Sequence, residues 1–361
     1  MQIISYTKIQ LQGFIDDEFF KVLSKIPITY HRAVSQINNP YASDEDVLLW
    51  AAYEKASLVG YVGVLPDLIS LENNKRKIYW LSCFWIDESF RNNNLASQLF
   101  FLLLRQYKDQ LYISNFLFSL ENIYQNLGIF KPTQYLIGST FYLRFCFAPL
   151  VQARYANMKL LVLIYGFIER SLNVIMILKK LFTRKVNVKI KLEENCTLDD
   201  ELEHFISYFS STNKKVVRNI QHFNWILTYP WVLNGKSDLD SSRYYFTSKA
   251  TYFEHRTVKF YLSNKLSGFV FLTLKNKSLK VCYIYANDEC VCHIADYLIS
   301  CAEILKLNEI IVYDNQLIKH LKIRRGKFLY VRNIKQAYIF PENDDITASV
   351  FQFGDGDAVF T

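Results

Sequence analysis

The sequence predicts an α/β protein in two units, each a sheet flanked by helices. Apolar runs of strand character alternate with helical patterns along both halves. An order of hairpin, strand, helix and strand occurs twice, and 361 residues with 51% hydrophobic content suffice for two cores. In the first half, 2–12 reads as a strand, 16–25 as a helix, and 47–54 with 58–65 as a hairpin around Lys55-Ala56-Ser57. The run 78–86 has the aromatic and β-branched content of a buried strand. After it, 97–108 reads as a helix, with Leu95, Leu99, Leu102 and Leu103 at helical spacing. Next come a strand over 111–118 and a short helix over 119–127 that stops at Gly128, a C-cap residue.

The turn between strand 78–86 and the following helix is the most informative stretch. A strand that turns sharply into a helix leaves several backbone N–H groups unpaired at one point, where the helix dipole also favours an anion. The residues there are Arg91-Asn92-Asn93-Asn94-Leu95-Ala96. They resemble the acyl-CoA-binding motif of the GNAT N-acetyltransferase superfamily: Arg or Gln, two variable residues, Gly, one variable residue, then Gly or Ala. Asn94 stands where the family has its first Gly. Asn tolerates the left-handed geometry such a loop needs better than other residues with side chains, Asp excepted. Further on, Tyr124-Gln125-Asn126-Leu127-Gly128-Ile129-Phe130 resembles the family's element of Tyr, three residues, Gly and Phe, with Ile129 in place of the Phe. Leu117 stands where many members carry an Asn.

The resemblance implies tandem GNAT-like folds, each a mixed, mainly antiparallel twisted sheet flanked by helices, the second unit degenerate. It implies acetyl-CoA or another acyl-CoA as co-substrate, with no metal. Backbone groups of Asn92, Asn93, Asn94, Leu95 and Ala96 would hold the pyrophosphate and Arg91 would add charge. Phe84 and Ile86 would offer main-chain contacts to pantetheine in a gap beside their strand, and Asn115 also falls at the cofactor. Tyr124 would protonate the departing thiolate. The general base has no assignment, because 79–86 contains no carboxylate and Asp87 lies next to the phosphates. A water relay, or an amine already neutral, would remove the need for one.

In the second half, 199–209 and 217–227 read as helices. Strands are expected near 243–248, 258–263, 268–275 and 280–285, then a helix over 290–305 and a strand over 309–313. The turn equivalent to the cradle is Ala286-Asn287-Asp288-Glu289, whose carboxylates cap a helix start but repel a pyrophosphate. The cofactor site is therefore assigned to the first unit, with blocks at 1–145 (catalytic), 146–190 (apolar connector) and 191–361 (support). The segments Arg218-Asn219-Ile220-Gln221-His222-Phe223-Asn224-Trp225 and Gly354-Asp355-Gly356-Asp357-Ala358-Val359-Phe360 resemble parts of tandem GNAT-like acyltransferases linked to bacterial surface-glycan synthesis.

The connector is rich in Leu, Ile and Phe, yet Glu169-Arg170 interrupts it and neither apolar run reaches the roughly 20 residues a spanning helix needs. Two readings are open for 159–185: a helix buried between domains, or an amphipathic helix lying on an anionic membrane surface. The net charge of +8 is spread along the chain, with no compact basic face or zinc-finger spacing, so no nucleic-acid partner is expected. Seven scattered cysteines and no secretion-signal pattern point to a reducing cytoplasm, at the inner membrane face if 159–185 docks there. Cys290-Val-Cys292-His293 is too closely spaced for a two-Cys zinc knuckle and reads as helix. The expected activity is acyl transfer from acyl-CoA to an amine, such as an amino sugar of surface polysaccharide. The alternatives are an inactive scaffold protein and a tRNA-dependent aminoacyl transferase.

Overall fold

A computed structural model of the chain describes residues 1–71, 74–146, 159–181, 190–213, 216, 218–235, 239–246 and 250–360. In chain order the elements are β1 (Gln2–Thr7), α1 (Lys8–Asp16), α2 (Glu18–Val22), α3 (Tyr30–Ile37), β2 (Val47–Glu54), β3 (Ser57–Leu71), β4 (Asn74–Ile86), α4 (Leu95–Tyr107), β5 (Leu111–Ser114), α5 (Glu121–Asn126) and β6 (Gln134–Tyr142). There follow α6 (Lys159–Leu181), β7 (Lys191–Glu194), α7 (Asp200–Asn213), α8 (Ile220–Thr228), β8 (Phe253–Leu262), β9 (Lys265–Lys275), β10 (Ser278–Ala286), α9 (Asp288–Ile304), β11 (Glu309–Val312), α10 (Asn315–Ile323) and β12 (Tyr330–Ile339). The result is a mixed α/β fold whose strands pair mainly antiparallel, as expected. The order from β7 to β12 repeats that from β1 to β6.

Contacts divide the chain into one unit of Met1–Leu136, Thr197–Phe253 and Gln336–Thr361 and another of Ile137–Cys196 and Glu254–Lys335. Successive blocks with cuts near 145 and 190 do not describe this division. Both resembling segments of the second half, around Arg218 and Asp355, pack in the first unit.

In the first unit the strands run β1, β2, β3, β4, β5 and then the end of β12, where Tyr338 pairs antiparallel with Ser114 and Ile339 with Ile113. Lys55 and Ala56 turn the β2 to β3 hairpin with φ of 48° and 65°, the mirror-image geometry that matches strand twist. One core packs α1 to α3 on one side of this sheet through Leu11, Phe14, Ile28 and Ala33. Another packs α4 and α5 through Leu95, Leu99, Leu103 and Tyr124. In the second unit the order is β6, β11, β10, β9, β8, β7, and α9 buries Cys290, Ile294, Leu298 and Cys301 in a single core. Each sheet thus ends on a strand from the other half of the sequence.

Three local expectations are corrected. The first strand ends at Thr7, whose hydroxyl caps the Gln10 N–H while the Gln10 side chain accepts from the Thr7 N–H, so 8–16 is a helix opened by a capping box. The strand at 111–118 stops at Ser114. Residues 243–246 form no strand, because Arg243 N–H and Tyr244 N–H both turn back to the Asp240 carbonyl, and 247–248 lie outside the described residues. The Cys290-Val-Cys292-His293 run is helical, as expected, and burial pushes the Cys290 thiol up to about 12. Among the described residues no group of side chains could hold a metal ion, and no helix is long and apolar enough to cross a membrane.

Candidate active site

The site begins with a gap in the first sheet. β4 pairs with β3 along its length, but with β5 only from Tyr79 opposite Leu111 to Leu81 opposite Ile113, in parallel. β4 continues through 82–86 while β5 ends at Ser114, and Asn115, at φ 52°, turns the chain away. Residues 83–86 of β4 are half-buried. In the second unit β10 likewise pairs with β11 only as far as Lys280, yet its residues 283–286 are all buried. An edge with unpaired backbone groups is what an extended ligand needs to bind by strand-like hydrogen bonds.

A bulge sits in the same stretch. The β3 to β4 register shifts between Val62 opposite Phe84 and Gly63 opposite Ser82, leaving Cys83 as the extra residue at φ 60°. A Cβ on Gly63 would stand 2.9 Å from the Ser82 carbonyl, so the bulge depends on that glycine. Because of the extra residue, Ser82 and Cys83 both face α3, where Arg32 meets them. Phe84 faces α4 instead, its ring stacked on Phe100.

At the end of β4, Asp87 accepts from the Ser89 N–H and opens a single 3-10 turn over Glu88–Phe90. The Lys25 ammonium at 2.5 Å and the Ser89 groups hold the Asp87 carboxyl down at about 2. Asn94 adopts the left-handed conformation, φ 55° and ψ 10°, immediately before α4, and no side chain caps that helix. The first helical bond runs from Gln98 N–H to the Asn94 carbonyl. The N–H groups of Leu95, Ala96 and Ser97 are therefore the open donors of the first turn. Of the expected cradle donors, Asn93 is committed elsewhere, to the Phe90 carbonyl at 3.1 Å. Arg91 is exposed and pairs with Glu88 at 3.2 Å.

Tyr124 is buried in α5, with the rings of Phe100 and Phe116 each 5.6 Å away. Phe100 thus links it to Phe84 on the gap strand. Burial alone pushes the phenol up to about 12, so it stays protonated at neutral pH. Gly128, at φ 65°, ends the helix as expected. Asn115 lies at the mouth of the gap, and its side chain is one of the groups that lower the pKa of Asp357.

The residues that sequence reasoning missed come from the other two segments of the first unit. Arg218 is fully buried; its Nη1 and Nη2 donate to the two Asp67 oxygens at 2.5 and 2.8 Å, and its Nε and Nη2 donate to Asp355 at 2.9 and 2.8 Å. Burial disfavours both carboxylates. Arg218, with the Trp80 indole and His222, outweighs this at Asp67 and lowers its pKa, whereas burial prevails at Asp355. Gly356, at φ 75°, lies against Trp80, where a Cβ would come within 3.1 Å of the ring. One residue on, Asp357 accepts from Ser82 Oγ at 3.0 Å. Phe360 stacks on Trp231, and the Arg32 guanidinium lies 3.9 Å from a Trp231 ring centre while donating to Cys83 Sγ at 2.9 Å. Burial works against the Arg32 charge, and Cys83, Tyr244 and Asp357 together outweigh it. Both segments had been singled out, and a buried Arg facing a run with two Asp was the available signal. Their meeting at β4 was not readable.

On the same side of the sheet a cavity of about 420 Å³ is lined by Tyr61, Trp85, Tyr244 and Tyr245, with Lys25 and Arg91 at its charged end. Aromatic faces beside polar groups suit a sugar ring or another polar ring.

A sheet opened at a bulge, an uncapped helix start beside the gap and a buried tyrosine come together in the first unit. Residues 15–128 match the family model described as Acetyltransferase (GNAT) family. A conserved protein of unknown function from Enterococcus faecalis V583, titled a probable N-acyltransferase, is similar in fold: TM-score 0.53 at 10% identity, over 94% of this chain and 72% of that one. A GCN5-related N-acetyltransferase from Kribbella flavida gives TM-score 0.51 at 10% identity, over 93% and 70%. At that identity the likeness concerns the fold; with the family match it supports the GNAT acetyltransferase superfamily. No curated protein matches the sequence.

Proposed function

We propose that the protein transfers an acyl group from acyl-CoA, acetyl-CoA in the first instance, to an amine, such as that of an amino sugar in surface-polysaccharide synthesis. The observation that carries this reading is the open edge of β4 at 82–86, followed after the 87–94 turn by the uncapped start of α4. The N–H groups of Leu95, Ala96 and Ser97, with Arg91 nearby, would receive the pyrophosphate. Main-chain groups at Phe84 and Ile86 would align the pantetheine arm, and an N–H of the bulge would polarise the thioester carbonyl. Tyr124 would give its proton to the sulfur as the C–S bond breaks. The aromatic cavity on the Arg32 side supports an acceptor with a ring. The exposed apolar face of α6 supports docking at a membrane, where a lipid-linked acceptor would be found.

The test is calorimetric titration with acetyl-CoA, followed by single-turnover release of coenzyme A. Tyr124→Phe should bind acetyl-CoA as the unaltered chain does and release coenzyme A about 10²-fold more slowly or worse. Absence of binding by the unaltered chain would overturn the reading.

A further inference from the structure

The expected site lacked a base, because no carboxylate stands on β4 before the phosphate loop. The structure brings one there from 275 residues away: Asp357 Oδ2 accepts the Ser82 Oγ hydrogen bond at 3.0 Å, beside the Cys83 bulge. We propose that Asp357 is the general base of the transfer, held at the bulge by the 354–360 segment. The proposal rests on the acyl-transfer reading and adds a residue to it.

Three features make the carboxylate suited to this. Its backbone is fixed on both sides: Asp355 is clamped by Arg218, Gly356 lies on Trp80, and Phe360 stacks on Trp231. Asp357 nevertheless remains partly accessible, unlike Asp355. The groups that act on it are Arg32 from α3, Ser82 from β4 and Asn115 after β5, and Arg32 in turn meets Cys83 and Tyr244. Burial raises its pKa, and Arg32, Ser82 and Asn115 lower it without cancelling the effect of burial. A carboxylate moved toward neutrality is a stronger proton acceptor than an ordinary Asp.

The side of approach also fits. Ser82, Cys83 and Asp357 lie on the α3 face of β4, whereas Phe84, Phe100 and Tyr124 lie on the α4 face. Base and acid thus stand on opposite sides of the open strand. Asp357 takes one proton from the acceptor ammonium, and the freed nitrogen lone pair forms the C–N bond. The C–S electron pair leaves with sulfur, which receives the Tyr124 proton. The second proton lost by nitrogen restores Tyr124 through solvent.

The experiment compares Asp357→Asn with the unaltered chain on the acid side of neutrality, using acetyl-CoA and two amines. Glucosamine is mostly protonated there and needs a base, whereas hydroxylamine is mostly neutral. Transfer to glucosamine should fall about 10²- to 10⁴-fold and transfer to hydroxylamine less than about tenfold. The acid limb of the pH profile should disappear with the carboxylate. Calorimetric affinity for acetyl-CoA should be unchanged, while the melting temperature should fall because Asp357 offsets the buried Arg32 charge. In the infrared spectrum of the ligand-free protein, a carboxyl band that titrates above the ordinary Asp range, roughly 3.9, should be lost in the variant. Equal losses with both amines, or none, would overturn the proposal. Failure of the unaltered chain to bind acetyl-CoA would instead remove the acyl-transfer reading on which it stands.

Discussion

Asn94 decides whether the cradle is a working anion site, and its backbone answers in one respect. A glycine is usual at such a position because φ is positive, and Asn94 occupies that conformation at φ 55° with no strand or side-chain cap forcing it. The departure from the family pattern therefore keeps the geometry. A β-branched residue there costs on the order of 1–3 kcal/mol, which either flips the loop or weakens the fold. Asn94→Gly should bind acetyl-CoA within about twofold of the unaltered chain, and Asn94→Val at least about tenfold more weakly by calorimetry. Equal affinities would show that the turn does not form the anion site. The turn at Asn94 and the helix stop at Gly128 were legible because each belongs to one short stretch whose local geometry a sequence pattern encodes. The position of Asp357 was not, since it depends on a hydrogen bond from Ser82, far away in the chain.

At the scale of elements, the helices α4 and α9 that follow β4 and β10 were legible from periodicity. The errors fell where side-chain hydrogen bonds override apolar patterning. The Thr7 and Gln10 capping box converts an apparent strand into α1, and Asp240, joined to Arg243, coils 240–244 where a strand was expected. Helix α6 leaves a run of apolar side chains exposed. Leu160, Leu163, Ile164, Phe167, Ile168 and Val174 recur at helical spacing, yet each is more than 40% exposed. The helix carries Lys159, Arg170, Lys179 and Lys180 against Glu169 alone. An apolar stripe with a basic complement matches an anionic bilayer surface, with each lysine worth roughly 1 kcal/mol close to it. The protein should co-float with vesicles containing phosphatidylglycerol, and not with neutral ones. Leu163→Asp with Phe167→Asp should abolish flotation without changing acetyl-CoA affinity. Flotation unaffected by the double change would place any membrane contact elsewhere.

For the molecule as a whole, the first unit is assembled from three stretches of chain, and the Arg218 cluster is where all three meet. Asp67 belongs to the first stretch, Arg218 to the second and Asp355 to the third, and all three side chains are nearly inaccessible. The cluster also places Asp357 next to Ser82, so folding and the proposed chemistry share one joint. Removing only the cation leaves two buried carboxylates facing each other without a counter-charge, which typically costs about 3–5 kcal/mol. Neutralising all three side chains together removes that repulsion while keeping much of the packing, and such replacements are often nearly neutral. Arg218→Met should therefore shift urea unfolding, followed by Trp fluorescence, by roughly that amount. Arg218→Met combined with Asp67→Asn and Asp355→Asn should recover most of the loss. The single variant should also recover partially as pH falls, because protonating Asp67 and Asp355 relieves the unpaired charge, whereas the triple variant should show no such recovery. If the single and triple variants are equally unstable at every pH, the cluster contributes through shape rather than charge. The placement of Asp357 would then have to depend on Gly356 against Trp80 and Phe360 against Trp231.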